Sequence, residues 1–181
     1  MKIVAVLGVI CLMAVAGCDD RKTIWAKPYF GKKAPDLVVE KWLTPEPDRA
    51  GKFVLIDFWA TWCPPCVLIA PDILNLYKKY HSQGLEIVGI SADSDKSALI
   101  KYVKEEGAPW PQYFDDAGDQ ALFERLGVNS FPTLWLVNRQ GIVVNPNFRE
   151  LWAEGLGIPT AIPPATRAKV DAAIAKQLKA P

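Results

Sequence analysis

Two cysteines separated by two residues are the part of this sequence best suited to chemistry. Cys63 and Cys66 enclose Pro64 and Pro65, and the pair follows an apolar run and begins a helical pattern. At a helix N-terminus, unpaired backbone N–H groups and the positive end of the helix dipole favour thiolate over thiol. We therefore expect Cys63 to be the nucleophile of a thiol–disulfide exchange. Cys66, one turn further and more covered, is then the resolving thiol.

The same pair has other interpretations. A structural zinc site needs four nitrogen or sulfur ligands, and His81 is the only histidine in the chain, so we predict no metal. A purely structural disulfide closing so short a loop would add little stability. A membrane-tethered copper(I) chaperone with two soft thiolate ligands is a further alternative. Against it, both methionines, Met1 and Met13, lie in the N-terminal apolar segment and cannot complete a site.

Asp57 is the only charged residue in the apolar run from Phe53 to Trp59. Burial makes a carboxyl expensive to ionise, so we expect its pKa to rise. It precedes Cys63 by six residues and could lie beneath the cysteine pair, where it would take the proton of Cys66 through water. The alternative is an aspartate at a frayed strand end, hydrogen-bonded to backbone.

Phe131, Pro132 and Thr133 begin a second apolar run. A proline at the start of an interior strand is tolerated where the chain bends or the peptide is cis. A cis bond would turn local backbone groups outward to pair with an extended substrate segment. On local sequence alone a trans bond is favoured, because only about 5–6% of X–Pro bonds in folded proteins are cis.

Hydrophobic periodicity predicts the elements that must position these residues. A continuous apolar strand, then a helix from the cysteines, a second strand and a second helix form a β–α–β unit, followed by an antiparallel pair. The sheet is therefore mixed and the class is α/β. The predicted strands are 37–43 at one edge, 53–59 at the centre, 86–92, 131–137 and 142–144, and the predicted helices are 63–80, 95–106, 119–126 and 165–179. An irregular insertion is expected over 145–163.

The N-terminus has the pattern of an export signal. Residues 1–17 contain one lysine and then a short apolar run, which is too short for a membrane span of about 20 residues. The run ends in Val15-Ala16-Gly17-Cys18, which resembles the lipobox of bacterial lipoproteins. We predict lipid attachment at Cys18, followed by a tether over 18–33 whose aromatic residues can pack on the domain formed by 34–181. The alternative is an ordinary secretory signal with Cys18 incidental.

Charge excludes one class of partner. The chain has 21 Lys and Arg against 20 Asp and Glu, so no basic surplus exists to neutralise a phosphate backbone. We expect no nucleic-acid partner.

Three separated motifs together resemble one family. They are VLIDFWATWCPPC, Pro71 five residues after Cys66, and LGVNSFPTLWLVNRQG. They are similar to the thioredoxin superfamily, in particular the TlpA-like and ResA-like exported disulfide reductases. The resemblance spans about 33–144 and includes an extra segment, 94–116, that minimal thioredoxin lacks.

The resemblance implies a thioredoxin fold with a TlpA-like insertion and an N-terminal edge strand. It also implies a redox disulfide between Cys63 and Cys66 with no other cofactor, and a cis-proline at Pro132. Trp59 and Trp62 would border the substrate groove, to which we add Phe131 and Thr133.

We expect electrons to pass from the cysteine pair to client disulfides, so that the protein is a reductase. Neither proline between the cysteines has an N–H and no histidine lies there, so thiolate stabilisation should be modest. The expected clients are oxidised envelope proteins, including those of cytochrome c maturation, and the expected electron source is a DsbD-type membrane donor. The domain would face the periplasm on a lipid anchor, with the inner membrane favoured by Asp19. A thiol oxidase or isomerase on the same fold is the alternative.

Overall fold

The computed structural model describes residues 29–35, 42–114, 121–145 and 164–179. Several predicted segments therefore lie wholly or mostly outside the described residues: the signal 1–17, Cys18, the tether up to residue 28, the edge strand 37–43 and the insertion 145–163. In the described ranges, no helix has both the length and the apolar character that crossing a membrane requires.

Five strands and four α-helices are formed by the described residues. In chain order they are β1 Phe53–Trp59, α1 Pro64–Tyr80, β2 Leu85–Ser91, α2 Lys96–Glu106, β3 Gln112–Phe114, α3 Ala121–Leu126, β4 Thr133–Val137, β5 Val143–Asn145 and α4 Pro164–Leu178. The strands form one sheet in the order β3-β2-β1-β4-β5. β1 pairs parallel with β2, and β2 with β3, whereas β4 is antiparallel to both β1 and β5. The predicted mixed sheet with 53–59 at its centre is confirmed.

Local chemistry explains the element boundaries. Every residue of β1 and β2 is buried, as expected for strands covered on both faces. α2 begins after Asp95, whose side chain accepts a hydrogen bond from the Ser97 backbone N–H, and it ends at Gly107 in the left-handed conformation. β4 begins two residues later than predicted, at Thr133, because Pro132 has no N–H to donate to the ladder.

The sheet separates two layers of core. Because side chains alternate along a strand, Leu55 and Asp57 of β1 face the side covered by α1, α2 and α4, whereas Ile56 and Phe58 face the side covered by α3. Ile174 of α4 is almost completely buried in the first layer.

Residues 29–33, at the end of the predicted tether, pack on the domain. The Gly31 N–H donates to the Val143 oxygen at 2.9 Å and the Ala34 N–H to the Gly141 oxygen at 2.8 Å. The Tyr29 ring lies 5.3 Å from Trp135, centroid to centroid.

Candidate active site

Cys63 and Cys66 lie at the junction between β1 and α1. Cys63 is the N-cap of α1, and Pro64 and Pro65 occupy its first positions, where a missing N–H costs nothing. The two cysteines form a disulfide with their Cα atoms 5.3 Å apart. Their exposures are 4% and 3%, so in this oxidised form the expected difference in cover between them is absent.

The backbone N–H groups around the disulfide differ from expectation. The Cys66 and Val67 N–H groups both donate to the Cys63 oxygen, at 3.0 and 3.1 Å, and the Cys63 N–H donates to the Ala60 oxygen at 3.2 Å. The expectation of unpaired N–H groups facing the Cys63 sulfur was therefore wrong. The helix dipole remains as the backbone contribution to thiolate stability.

Asp57 lies on the α1 side of the sheet and lines a cavity that Cys66 also lines. It is 4% exposed, and its Oδ1 has no hydrogen-bond partner among the described residues. Burial raises the pKa of Asp57 to about 8. This cavity of about 100 Å³ is lined by both Asp57 and Cys66, whereas Cys63 is not among its lining residues. The carboxyl and the second cysteine of the pair therefore share one cavity.

The segment 94–116 supplies much of the remaining cavity wall. Tyr102 and Glu106 of α2 and Trp110 of the following loop line the cavity. The pKa of Tyr102 is raised by burial and, to a smaller extent, by the charges of Glu106 and Asp57. Sequence reasoning missed these residues, because their only signal was membership of a helix and loop far from the cysteines.

Asp93 is a second buried carboxyl beside the active loop. Its Oδ1 and Oδ2 both accept from the Thr61 backbone N–H at 3.1 Å, and Oδ2 also accepts from the Ser91 hydroxyl at 2.6 Å. The Thr61 hydroxyl donates to it as well. The end of β2 is thus hydrogen-bonded to the loop two residues before Cys63. No pattern in the sequence predicted this contact.

Aromatic residues near the disulfide divide into exposed and buried ones. Trp62 is 59% exposed, and its ring meets Phe131 edge to face at 5.9 Å. Trp59, by contrast, is buried: it packs on Tyr102 at 5.1 Å, and its Nε1 donates to Gln112 Oε1 at 3.1 Å. Because both faces of β1 are covered, the Trp59 ring is enclosed by its neighbours, and Trp62 is the one of the two predicted groove tryptophans that is exposed.

The Phe131–Pro132 peptide is cis, as the family resemblance implied and against the expectation from local sequence. Thr133 is buried, and its hydroxyl donates to the Ser130 oxygen at 2.8 Å. Among the described residues, no group of three or more His, Cys, Asp or Glu could hold a metal ion.

Comparison with known proteins gives consistent results. Residues 51–143 match the family model described as thioredoxin-like. The thiol-disulfide oxidoreductase ResA of Bacillus thuringiensis is 35% identical over 133 residues, which is 72% of this chain and 76% of the relative. ResA of Bacillus subtilis is 35% identical over 143 residues, or 74% of this chain and 79% of the relative.

A solved structure of another protein is also similar to this chain. A protein from Chlorobium tepidum, assigned as the thiol:disulfide interchange protein DsbE, superimposes with a TM-score of 0.58 and 27% identity. The match covers 72% of this chain and 83% of that protein.

Proposed function

Because the chain belongs to the thioredoxin superfamily as a ResA-like thiol-disulfide oxidoreductase, we propose that it works as a reductase of protein disulfides outside the cytosol. The single observation that carries this proposal is the cavity lined by both Cys66 and Asp57. The proposed proton acceptor and the thiol that must attack second would then share one cavity.

The proposed reaction starts from the reduced pair. The Cys63 thiolate attacks one sulfur of a client disulfide, and the other client sulfur leaves and takes a proton from solvent. The Cys66 thiol then gives its proton to the Asp57 carboxylate and attacks the Cys63 sulfur, which releases the second client thiolate. The client gains two electrons, and Cys63 and Cys66 form the disulfide.

The proposed direction of electron transfer, from the cysteine pair to the client, follows from weak stabilisation of the Cys63 thiolate. Pro64 and Pro65 have no N–H, and the Cys66 N–H is bonded to the Cys63 oxygen. In a strong oxidant such as DsbA, a well stabilised thiolate makes the reduced cysteine pair a poor electron donor. The less stabilised thiolate of Cys63 makes the reduced pair of this protein a better electron donor.

The exposed Trp62 ring and the half-buried Phe131 ring supply an apolar surface beside the disulfide for an extended client segment. The clients we propose are oxidised envelope proteins, including apocytochrome c. A DsbD-type membrane protein would return two electrons to the Cys63–Cys66 disulfide. A lipid at Cys18 would hold the domain at the periplasmic side of the membrane.

Trapping tests the proposed order of attack. Cys66→Ser leaves the Cys63 thiolate able to attack but removes the resolving thiol, so it should accumulate mixed disulfides with clients on non-reducing gels. Cys63→Ser is the matched control and should accumulate none. Mixed disulfides of the two variants in equal amounts would refute these roles.

Insulin reduction and a redox titration test direction. The wild-type protein should reduce insulin disulfides, with a potential well below the roughly −120 mV of DsbA. A potential near that value would instead indicate an oxidase. Stoichiometric copper(I) binding with negligible disulfide turnover would favour the copper chaperone.

A further inference from the structure

A glycine in β2 opens a space beside Asp57. In the sheet register Asp57 of β1 pairs with Gly89 of β2, and Gly89 pairs with Gln112 of β3. Residues in register on adjacent strands point to the same face, so Gln112 and Asp57 lie on one side with no side chain between them. A Cβ on Gly89 would overlap Gln112 Oε1 and would lie 2.7 Å from its Cδ and 2.8 Å from its Nε2. The Gln112 amide therefore fills the place of the absent Gly89 side chain.

Because the Gln112 amide lies over Gly89 of β2, it is one strand away from Asp57 of β1. Neighbouring strands are spaced by about 4.8 Å. Trp59 Nε1 can only donate a hydrogen bond, so the Gln112 atom it contacts at 3.1 Å must be the amide oxygen. That contact fixes the amide orientation and leaves Nε2 as its donor group. Gln112 is completely buried, and its Nε2 has no partner among the described residues.

Among the described residues, the cavity wall beside Asp57 offers neutral donors, the Tyr102 hydroxyl and the unpartnered Trp110 Nε1, but no cation. The strand neighbours of Asp57 are Gly89 and Leu134, and the ionisable groups on the cavity wall are Cys66 from α1 and Tyr102 and Glu106 from α2. None of the described residues lining this cavity is a lysine, arginine or histidine. A carboxylate formed at Asp57 would therefore have no cation in the cavity wall to stabilise it.

We propose that Gln112 is a positioning residue that supplies an amide donor, across one bridging water, to the Asp57 carboxylate that receives the proton of Cys66. Asp57 Oδ1 and Gln112 Nε2 are a buried acceptor and a buried donor without partners among the described residues, and Asp57 lines a cavity with room for water. The inference rests on the proposed role of Asp57 in resolution and assigns the residue that tunes it.

Gln112→Met tests the donor, because methionine keeps the length of the side chain and removes the amide. The Asp57 carboxyl is titrated by carbon-13 NMR in the oxidised protein. Loss of a hydrogen bond to the charged form should raise the titration midpoint by about one pH unit. At pH 7 the resolution of mixed disulfides should slow by about tenfold and recover at alkaline pH, whereas a merely structural role would not move the midpoint.

Gly89→Ala is the independent variant, because its new methyl group must displace the amide without changing Gln112. It should move the midpoint in the same direction. Thr44→Val is the matched control: it removes only the bond from the Gln112 backbone N–H to the Thr44 hydroxyl at 3.2 Å, and it should leave the midpoint in place.

An unchanged or lowered midpoint in folded Gln112→Met would overturn the proposal, as would an equal shift in Thr44→Val. If Gln112→Met does not fold, the Asp57 midpoint is measured in Gly89→Ala. An unchanged or lowered midpoint in that variant then overturns the proposal. Wild-type protein that fails to reduce insulin would refute the proposed function, while the NMR titration would still decide whether Gln112 acts on Asp57.

Discussion

At the scale of single residues, Asp57 acquires its chemistry from burial. It is a carboxyl in an otherwise apolar strand, and the low polarity around it raises its pKa to about 8. An acid that titrates near neutral pH can both accept and return a proton under physiological conditions. The same residue on a solvated loop would remain ionised and could return no proton to Cys66.

Asp57→Asn should slow the resolution of the mixed disulfide by about 10- to 100-fold near pH 8, because an amide cannot accept the Cys66 proton. The wild-type rate should rise with pH through about 8, where Asp57 ionises, and the variant should lose this rise. Rapid quenching of a preformed mixed disulfide at several pH values measures both effects.

Glu106→Gln is the control for this prediction, since Glu106 is another carboxyl on the same cavity wall. It should retain the pH-dependent rise. A variant Asp57→Asn with an unaltered pH profile would remove Asp57 from the proton transfer.

At the scale of elements, the site is a junction held by contacts between strands and loops. The redox pair sits where β1 ends and α1 begins, and the loop between them is fixed from the side by Asp93, which follows β2. Helix α2 and the loop after it, both from the segment 94–116, line the cavity beside Asp57, and strand β3 contacts Trp59 through Gln112. Parallel pairing of β1 with β2 is what brings these segments together.

Asp93→Ala should destabilise the fold by about 2–4 kcal/mol, because it leaves the Thr61 N–H and two hydroxyl groups without their acceptor. It should also slow the first attack on a client, since the Cys63 loop loses its anchor. Urea denaturation and single-turnover insulin reduction measure the two effects.

Asp95→Ala is a nearby comparison. Asp95 is exposed and caps α2 through the Ser97 N–H, without contact to the active loop. Its loss should weaken α2 slightly and leave the reduction rate unchanged. Equal loss of rate in both variants would contradict the anchoring role of Asp93.

At the scale of the whole molecule, the energetic consequence of Asp57 is a dependence of stability on pH. The folded protein holds the Asp57 proton up to about pH 8, whereas the unfolded chain releases it near 3.8. Folded protein therefore binds more protons across this interval, and stability falls as pH rises through it. The stability linked to the Asp57 proton is fully present below about pH 4 and is lost above about pH 8.

For the oxidised protein, the free energy of unfolding should fall by up to about 1.4 kcal/mol per pH unit from this one group between pH 4 and 8. Asp57→Asn should flatten that slope and be the more stable protein at pH 9. Urea titrations at pH 5, 7 and 9 test this. Parallel pH dependence in the two proteins would contradict the raised pKa of Asp57.

The sequence by itself determined the redox pair, the central strand, the carboxyl in that strand and the α/β class. Each of these follows from short-range patterns: two cysteines three positions apart, a continuous apolar run and helical spacing. The helix N-terminus at Cys63 was recognisable, although the bonding of the Cys66 N–H to the Cys63 oxygen was not.

Tertiary structure alone decided what surrounds Asp57 and which tryptophan is exposed. Trp59 and Gln112 are 53 positions apart and meet only because β1, β2 and β3 are neighbours and Gly89 leaves space between the outer two. Local periodicity cannot specify such a contact, because it depends on strand order, register and the absence of a side chain on a third strand.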